Sequence, residues 1–320
     1  MQLQTILEAI QKSLADFYLF FYSKTDNYWL ALIIYVAIVS LLFNFFALPE
    51  YMRSNYSSYF KKKKKIIEQN NPKDYYAYKE QVAAMKKAEK YHPTWYIGLI
   101  LFALEYGMYI LIFYVIRNPL RYFSGLSAGE LSTVKHFFSN RSIEGDFKIL
   151  ENISKMPSYL LSPEAMKKLM IFSDKFKIFG NSLASRPLSL SAQGSKNWWI
   201  LPLIIIVLCL AQIAFRFFLK RKSLPEMSTD RKLIFITLTV FPLLASYSTS
   251  CLVFTQYIEI YFITLVLMNT LRISIYRKLL PQDKVVNFIY KLKKINKEDI
   301  ICPELTTKAS RKTPESLTTE

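Results

Sequence analysis

The sequence predicts an all-α polytopic membrane protein with five transmembrane helices, an N-terminal interfacial helix and a cytoplasmic helical hairpin. The first observation behind this fold class is a set of nearly uncharged apolar stretches at 29–49, 95–116, 197–219, 233–250 and 254–274. A helix needs about 20 apolar residues to cross about 30 Å of hydrocarbon. The second observation is a basic insert with five consecutive lysines between the first two stretches. The third is an apolar stripe near the N-terminus.

The predicted elements follow these observations along the chain. The N-terminal stripe (Ile6, Ile10, Leu14, Phe17 and Phe21) has the spacing of a helix lying on the membrane surface, with a frayed tail as the alternative. In order, we expect an interfacial helix at 1–27, the first span at 28–49, a basic hairpin at 50–94, the second span at 95–117, an extracytoplasmic segment at 118–196, the third span at 197–219, a cytoplasmic linker at 220–232, the fourth and fifth spans at 233–274, and a basic, partly disordered tail at 275–320.

The distribution of basic residues predicts the orientation. The net charge of +18 could indicate nucleic-acid binding, but in a chain with apolar spans the positive-inside rule is the preferred reading. Residues 52–92 carry eleven Lys and Arg against four acids, and residues 220–232 carry five against two. We therefore expect the N-terminus outside and the C-terminus in the cytoplasm. The segment 118–196 has eleven basic residues, but at 79 residues it exceeds the length over which the rule holds.

The basic insert is expected to fold as two antiparallel helices, since both flanks of the Asn70–Pro72 turn favour helix. A second basic amphipathic stretch covers 284–297. Such segments are attracted to ribosomal RNA or to anionic lipid headgroups, although a solvated loop without a partner remains equally open. The expected contact residues are Lys61, Lys62, Lys63, Lys64, Lys65, Lys293 and Lys294.

The composition argues against an enzyme with a metal or nucleotide. Cys209, Cys251 and Cys302 lack metal-ligand spacing, and the two histidines, His92 and His136, are far apart in the chain. There is also no P-loop or defensible Ser/His/Asp arrangement, and no cleavable signal peptide is evident. We expect no cofactor, no metal and no sequence-specific nucleic-acid binding.

Polar residues inside the apolar stretches are the candidate functional residues, because an ionisable or amide group in a span rarely faces lipid. Asn44, Glu105, Gln212 and Asn269 are expected at the midplane or in the inner half of the membrane, whereas Gln256 and Glu259 lie in the outer part of the fifth span. This bias predicts a hydrated cavity open to the cytoplasm. The alternative, strongest for Gln212 and Asn269, is interhelical hydrogen bonding.

The layout and local motifs resemble the YidC/Oxa/Alb family of membrane protein insertases, over about residues 1–118 and 178–280. Three segments carry the likeness: YWLALIIYVAIVSLLFNFFALPEYMRS at 28–54, HPTWYIGLILFALEYGMYILIFYVIRNP at 92–119, and ILPLIIIVLCLAQ at 200–212. Asn269 matches a late asparagine of the family. The resemblance implies a five-span core with a groove that holds Asn44, Glu105, Gln212 and Asn269.

Two departures mark this chain as a divergent member. The family has a groove arginine five residues before a proline, and counting back from Pro49 gives Asn44. Where the family has glutamine and then proline in its second span, this chain has Glu105 and Gly107. The predicted groove has thus exchanged a positive charge for a carboxylate.

The resemblance implies an insertase and chaperone in the bacterial inner membrane. Its partners would be the lipid bilayer, nascent membrane proteins and, through the basic segments, the ribosome, targeting factors or the Sec translocon. Two alternatives stay open. One is a small-molecule or ion transporter that uses Glu105 or Glu259, and the other is an assembly factor of the same fold without insertase activity.

Overall fold

The computed structural model describes residues 2–71, 74–91, 95–141, 143–220 and 229–295, and most of these residues are helical. The elements are α1 (Gln2–Thr25), α2 (Tyr28–Leu42), α3 (Asn44–Asn70), α4 (Tyr75–Ala88), α5 (Trp95–Arg117), α6 (Pro119–Phe123), α7 (Ala128–Ser139), α8 (Asp146–Glu151), α9 (Pro163–Lys175), β1 (Lys177–Ile178), β2 (Asn181–Ser182), α10 (Pro187–Ala192), α11 (Ile200–Lys220), α12 (Thr229–Leu252), α13 (Gln256–Leu279) and α14 (Gln282–Lys293), with short 3-10 helices at Ile153–Lys155 and Ser158–Leu160. The chain divides into a first unit, Met1–Phe43 with Tyr106–Leu271, and a second unit, Asn44–Glu105 with Arg272–Glu320.

Helices that can cross a membrane are present in the described residues. Two are long and apolar enough by themselves, Tyr96–Arg117 within α5 and Gln256–Leu279, which is α13. A third is obtained if α2 and α3 are counted as one bent span. The apolar part of α11, Ile200–Phe215, is shorter than these. The membrane character of the chain is thereby supported, and the number of five spans stays a prediction.

The first apolar segment ends differently from the prediction. The sequence suggested a span reaching Pro49, but α2 ends at Leu42, α3 begins at Asn44, and Pro49 lies inside α3. The break between the two helices falls at Phe43. A proline inside a helix lacks the N–H donor and crowds the carbonyl group four residues earlier, so it favours a bend on its N-terminal side. The break lies on that side.

Aromatic side chains join α1 and α2 to the later part of the first unit. Tyr18 of α1 is fully buried, its hydroxyl donates to the Tyr28 carbonyl oxygen at 2.8 Å, and its ring stacks on Phe123 of α6 at 4.3 Å. The Tyr28 ring meets Phe172 and Phe176 edge to face. Burial raises the pKa of the Tyr18 hydroxyl well above its usual value, which keeps it a donor. The predicted interfacial helix is therefore held by the protein itself.

The segment between α5 and α11, which matched no motif in the sequence, folds into short helices and a small hairpin. Ser127 and Glu130 form a capping box at the start of α7. Strands β1 and β2 pair antiparallel through Phe179 and Gly180, which have φ values of 50° and 82°. Two positive φ angles in a row define a turn that suits the right-handed twist of a hairpin, and glycine makes the second one inexpensive.

The second unit contains the basic hairpin of α3 and α4, with α14 packed on α3. The hairpin interior is formed by Phe60, Ile67, Val82 and Met85. Between α3 and α14, the buried residues are Tyr56, Val286 and Tyr290. Gln282, the first residue of α14, donates to the Asn55 carbonyl oxygen at 3.0 Å and accepts from Lys62 at 2.9 Å. The tail stretch that the sequence marked as amphipathic thus uses its apolar face inside the protein.

Candidate functional site

The polar residues predicted for the groove are divided between the two units. Asn44 and Glu105 belong to the second unit, whereas Gln212, Asn269, Gln256 and Glu259 belong to the first. Asn44 is the first residue of α3, and only its backbone lies within the described structure.

Glu105 forms an ion pair with Arg272 of α13. The Arg272 Nη1 atom donates to the Glu105 Oε1 atom at 2.7 Å. The Glu105 side chain is 18% exposed and the Arg272 side chain is 20% exposed. Glu105 lies ten residues after Trp95, which is about 15 Å along α5, and Arg272 lies about 24 Å along α13 from Gln256. The carboxylate in the middle of an apolar helix therefore has a cationic partner.

This pair changes the charge predicted for the second unit. The sequence predicted a lost arginine at position 44 and a gained carboxylate at 105, and Arg272 was not among the candidate residues. The structure shows the carboxylate neutralised by that guanidinium. The pair is partly exposed on apolar helices, so some of its polar atoms lie where lipid tails could not form hydrogen bonds with them.

Gln212 holds α11 against α13 in the first unit. Its Nε2 atom donates to the Thr270 hydroxyl at 2.8 Å and to the Val266 carbonyl oxygen at 3.3 Å. Asn269, on the neighbouring turn of α13, is half-buried. The bonds of Gln212 fit the alternative reading of this residue, in which an amide joins two helices.

Glu259 and Gln256 lie in a buried polar cluster at the start of α13. The Glu259 side chain is fully buried, and its Oε1 atom accepts a short hydrogen bond from the Ser250 hydroxyl near the end of α12. Within the described residues, the second carboxylate oxygen of Glu259 and the side-chain oxygens of Gln256 and Thr255 have no hydrogen-bond partner. The described part of the chain also places no cation within 4.0 Å of Glu259. Among the described residues, Glu259 thus lacks the cationic partner that Glu105 has.

The start of α13 is fixed by backbone hydrogen bonds from a loop. The Gln256 N–H donates to the Ser185 carbonyl oxygen and the Tyr257 N–H to the Leu183 carbonyl oxygen, each at 3.0 Å. The first N–H groups of a helix have no partner within the helix, so these bonds satisfy groups that would otherwise be buried alone. Glu259 is consequently held in a rigid setting.

An apolar cavity of about 300 Å³ lies beside Ser250, between α11, α12 and α13. Its walls include Ile205 and Cys209 of α11 and Phe262 and Val266 of α13. Thr249 and Ser250 bring hydroxyl groups to its lining, and Ser250 is the one that donates to Glu259. The first unit therefore places a buried carboxylate one hydroxyl away from an apolar space.

The hairpin lysines do not form one uniform surface. Lys61, Lys62, Lys64 and Lys65 are exposed, but Lys63 is buried and pairs with the fully buried Glu89 at 2.6 Å. Burial alone would lower the pKa of Lys63, yet the hydrogen bonds and charge of Glu89 and Tyr59 outweigh it and raise the pKa above its usual value. Lys63, which the sequence grouped with the expected contact lysines, is thus engaged inside the hairpin, and its ammonium group stabilises the fold.

The two tail lysines also differ from each other. Lys294 is exposed, whereas Lys293 is half-buried, with its ammonium group 2.9 Å from the Lys90 carbonyl oxygen and over the ring of Tyr56. The Lys90 ammonium group donates in turn to the Lys293 carbonyl oxygen at 3.1 Å. Burial lowers the pKa of Lys293. Lys293 thus fastens α14 to the hairpin.

Sequence reasoning missed Arg272, Ser250 and the pairing of Lys63 with Glu89. Each partner is separated from its carboxylate by a long stretch of chain or by a turn of unknown register. A weak signal existed for Arg272, because an arginine seven residues before the end of an apolar helix is costly without a partner.

Comparison of the chain with protein-family models, with curated proteins and with solved structures finds no match. The likeness to insertases rests on the order and spacing of the motifs described above.

Proposed function

We propose that this chain is a membrane protein insertase and chaperone of the bacterial inner membrane. It would admit the hydrophilic flanks of nascent membrane proteins to a polar groove open to the cytoplasm and release their apolar segments into lipid. The proposal includes five spans, with α11 and α12 as the third and fourth and the N-terminus outside. At 21 and 24 residues, these helices have lengths of about 31 and 36 Å, enough for the hydrocarbon layer.

The observation that carries the proposal is the partly exposed ion pair of Glu105 and Arg272 within two apolar helices. A hydrophilic flank has to cross about 30 Å of low dielectric. Water or polar atoms held near the midplane shorten the dry part of that path, so the free-energy cost of crossing falls. The pair offers both a donor and an acceptor to a passing polypeptide, without any covalent chemistry.

The basic hairpin supports the proposal from the second unit. Lys61, Lys62, Lys64 and Lys65 remain exposed beside a packed hairpin core. Exposed lysines attract phosphate groups over a distance of about 8–10 Å at moderate salt. The hairpin would therefore hold a ribosome or targeting factor near the cytoplasmic end of the groove.

Depletion of the protein, followed by an insertion assay with small one- and two-span membrane proteins, tests the proposal. We expect insertion to fall on depletion and to return with the wild-type chain. The double variant Glu105→Gln/Arg272→Gln, which removes both charges together, should restore protein level but not insertion. A photo-crosslinker at position 44 or 105 should capture nascent chains, and one at the exposed Tyr159 should not.

Insertion that does not change on depletion, together with no nascent-chain crosslinks at 44 and 105, would reject the insertase. Cysteines at 44, 105 and 212 provide a separate test of the groove. A water-soluble thiol reagent added from the cytoplasmic side should label all three. Protection at all three would rule out a hydrated cavity.

A transporter is the second candidate, and the buried Glu259 favours it. A carboxylate with one oxygen unpartnered and no described cation nearby could bind a proton or a small cation in turn. Proton-coupled uptake by the purified chain in liposomes should then disappear in Glu259→Gln and persist in the surface variant Glu164→Gln. The third reading, an assembly factor without insertase activity, would show retained nascent-chain crosslinks but no loss of insertion on depletion.

A further inference from the structure

A cleft of about 530 Å³ lies in the first unit where two candidate membrane spans end. One wall is the last turn of α5, from Phe113 to Arg117, and another runs from Thr255 to Ile258 at the start of α13. The start of α8 and the residue before α10, Arg186, complete it. A membrane crossed by α5 and α13 has its headgroups at the level of this cleft.

The mouth of the cleft carries charges of both signs. Arg117, Lys148 and Arg186 supply three cations, and Glu144 and Glu151 supply two carboxylates, all on exposed side chains. Within the part of the chain that the structure describes, none of these five has an ion-pair partner within 4.0 Å. The charges are therefore available to a ligand.

A third carboxylate in the cleft, that of Asp146, is already engaged. Asp146 is buried, accepts from the Leu120 and Arg121 N–H groups at 3.0 and 3.3 Å, and pairs with Lys135 at 2.9 Å. These bonds fix α8 against α6 and leave the Asp146 charge neutralised. Only the charges at the mouth remain to select a ligand.

The inner part of the cleft is largely apolar, and Thr255 is a buried polar group in its lining. Phe113, Phe254 and Ile258 form its walls, and Ile258 is buried. Thr255 is 6% exposed, and its hydroxyl has no hydrogen-bond partner among the described residues. A hydroxyl in such a position is satisfied when a ligand oxygen reaches it. The cleft is therefore amphiphilic, with a charged mouth and an apolar wall.

We propose that this cleft binds a zwitterionic phospholipid whose headgroup has a phosphate diester and a primary ammonium group. Arg117 and Arg186 would bind the phosphate, because guanidinium groups match its oxygens. Glu144 and Glu151 would accept from the ammonium group, which has three donors. An ester oxygen would reach Thr255, and the acyl chains would pass along Phe113 and Ile258. The site is separate from the proposed groove and does not require insertase activity.

The mixed charges predict which lipids bind poorly. A phosphatidylglycerol headgroup satisfies the cations but offers Glu144 and Glu151 only neutral glycerol hydroxyls in place of a cationic partner. A phosphatidylcholine headgroup has a quaternary ammonium group with no N–H donors. Loss of one charge-assisted hydrogen bond weakens binding by about tenfold or more. We therefore expect phosphatidylethanolamine to bind about tenfold more tightly than either of the others.

Native mass spectrometry of the full chain in detergent, titrated with the three lipids carrying identical acyl chains, tests the proposal. The wild-type chain should retain one phosphatidylethanolamine. Arg117→Gln/Arg186→Gln should weaken binding of all three lipids by about tenfold or more. Glu144→Gln/Glu151→Gln should abolish the preference for phosphatidylethanolamine over phosphatidylglycerol while phosphate binding remains.

The matched control is Arg141→Gln/Lys155→Gln, which removes two exposed cations of the same unit that do not line the cleft. It should bind lipid like the wild-type chain. Equal affinity for all three lipids, or the same loss in the control, would overturn the proposal. Circular dichroism and thermal unfolding of each variant identify any variant that fails to fold. If both cleft variants fail to fold, the order of the three lipid affinities for the wild-type chain decides. A preference for phosphatidylglycerol would also overturn the proposal.

Discussion

Glu259 of the first unit is satisfied differently from two ion-paired carboxylates of the second unit. In the second unit, Glu89 pairs with Lys63 and Glu105 pairs with Arg272, each through an oxygen within 2.7 Å of a cationic nitrogen. In the first unit, Glu259 receives a hydrogen bond from the Ser250 hydroxyl, and its other oxygen has no partner among the described residues. Burial is comparable for Glu89 and Glu259, both fully buried.

The difference teaches where charge is tolerated in this molecule. A buried carboxylate with a cation stays ionised, and removing the cation leaves an expensive charge behind. A buried carboxylate with only a hydroxyl partner has no charge compensation, so a neutral side chain of the same shape should replace it at little cost. The same type of substitution should therefore cost little stability at Glu259 and much more at the ion-paired carboxylates.

The largest effect is expected for Lys63→Met, which leaves the buried Glu89 carboxylate without its cationic partner. Loss of one partner from a buried pair costs about 3–5 kcal/mol of stability. Hydrogen exchange of the α3 and α4 amides in the full chain should reveal the lower opening free energy. The exposed Lys61→Met is the matched control and should change it by no more than about 0.5 kcal/mol. Equal exchange in the two variants would show that Glu89 finds another partner.

The same pair predicts a pH dependence with a definite sign. The folded-state pKa of Lys63 is raised above the usual 10.5, so its contribution is fully present below that value. The contribution is lost as the pH rises through the raised pKa. The contribution of Lys63 to the stability of the hairpin should therefore stay constant between about pH 7 and 9. The hairpin should open more readily only in more alkaline solution. Exchange rates corrected for the intrinsic effect of pH provide the measurement.

The sequence predicted apolar helices of the structure but not the partners of its carboxylates. Apolar length identified α5 and α13, because a span needs a fixed number of apolar residues. It could not predict that Arg272 meets Glu105, since the two residues are 167 positions apart and no local pattern records which helix faces meet. It grouped Lys63 with its neighbours because the register of a helical hairpin decides which lysine points inward. Pro49 was taken as a helix end, although the helix continues through it.

The next largest effect is expected for Arg272→Gln, which strands the Glu105 carboxylate. We expect a loss of about 2–3 kcal/mol, less than for Glu89, because Glu105 is partly exposed. Unfolding in detergent micelles measures it. The double variant Glu105→Gln/Arg272→Gln should recover most of the loss, since it leaves no lone charge. Additive losses in the double variant would contradict the pairing.

A smaller effect is expected for Gln212→Leu, which removes the hydrogen bonds from α11 to Thr270 and Val266. Interhelical hydrogen bonds in membrane proteins contribute about 0.6 kcal/mol on average and at most about 1.7. Unfolding of this variant in the same micelles should fall in that range. A loss of more than about 3 kcal/mol would indicate that Gln212 carries more than a helix contact.

The smallest effect is expected for Glu259→Gln, and it tests the comparison most directly. The amide keeps an oxygen that accepts from Ser250, and no described cation loses its partner. Stability should therefore change by no more than about 0.5 kcal/mol. Glu105→Gln, the same substitution in the second unit, should cost about 2–3 kcal/mol because Arg272 is left alone. Glu259→Ala removes the acceptor as well and should cost about 1–3 kcal/mol, which shows that the site responds to change. If Glu259→Gln costs as much as Glu105→Gln, the Glu259 carboxylate must be charged and must hold a cation in the membrane, and Glu259 would then be an ion-paired carboxylate like Glu105.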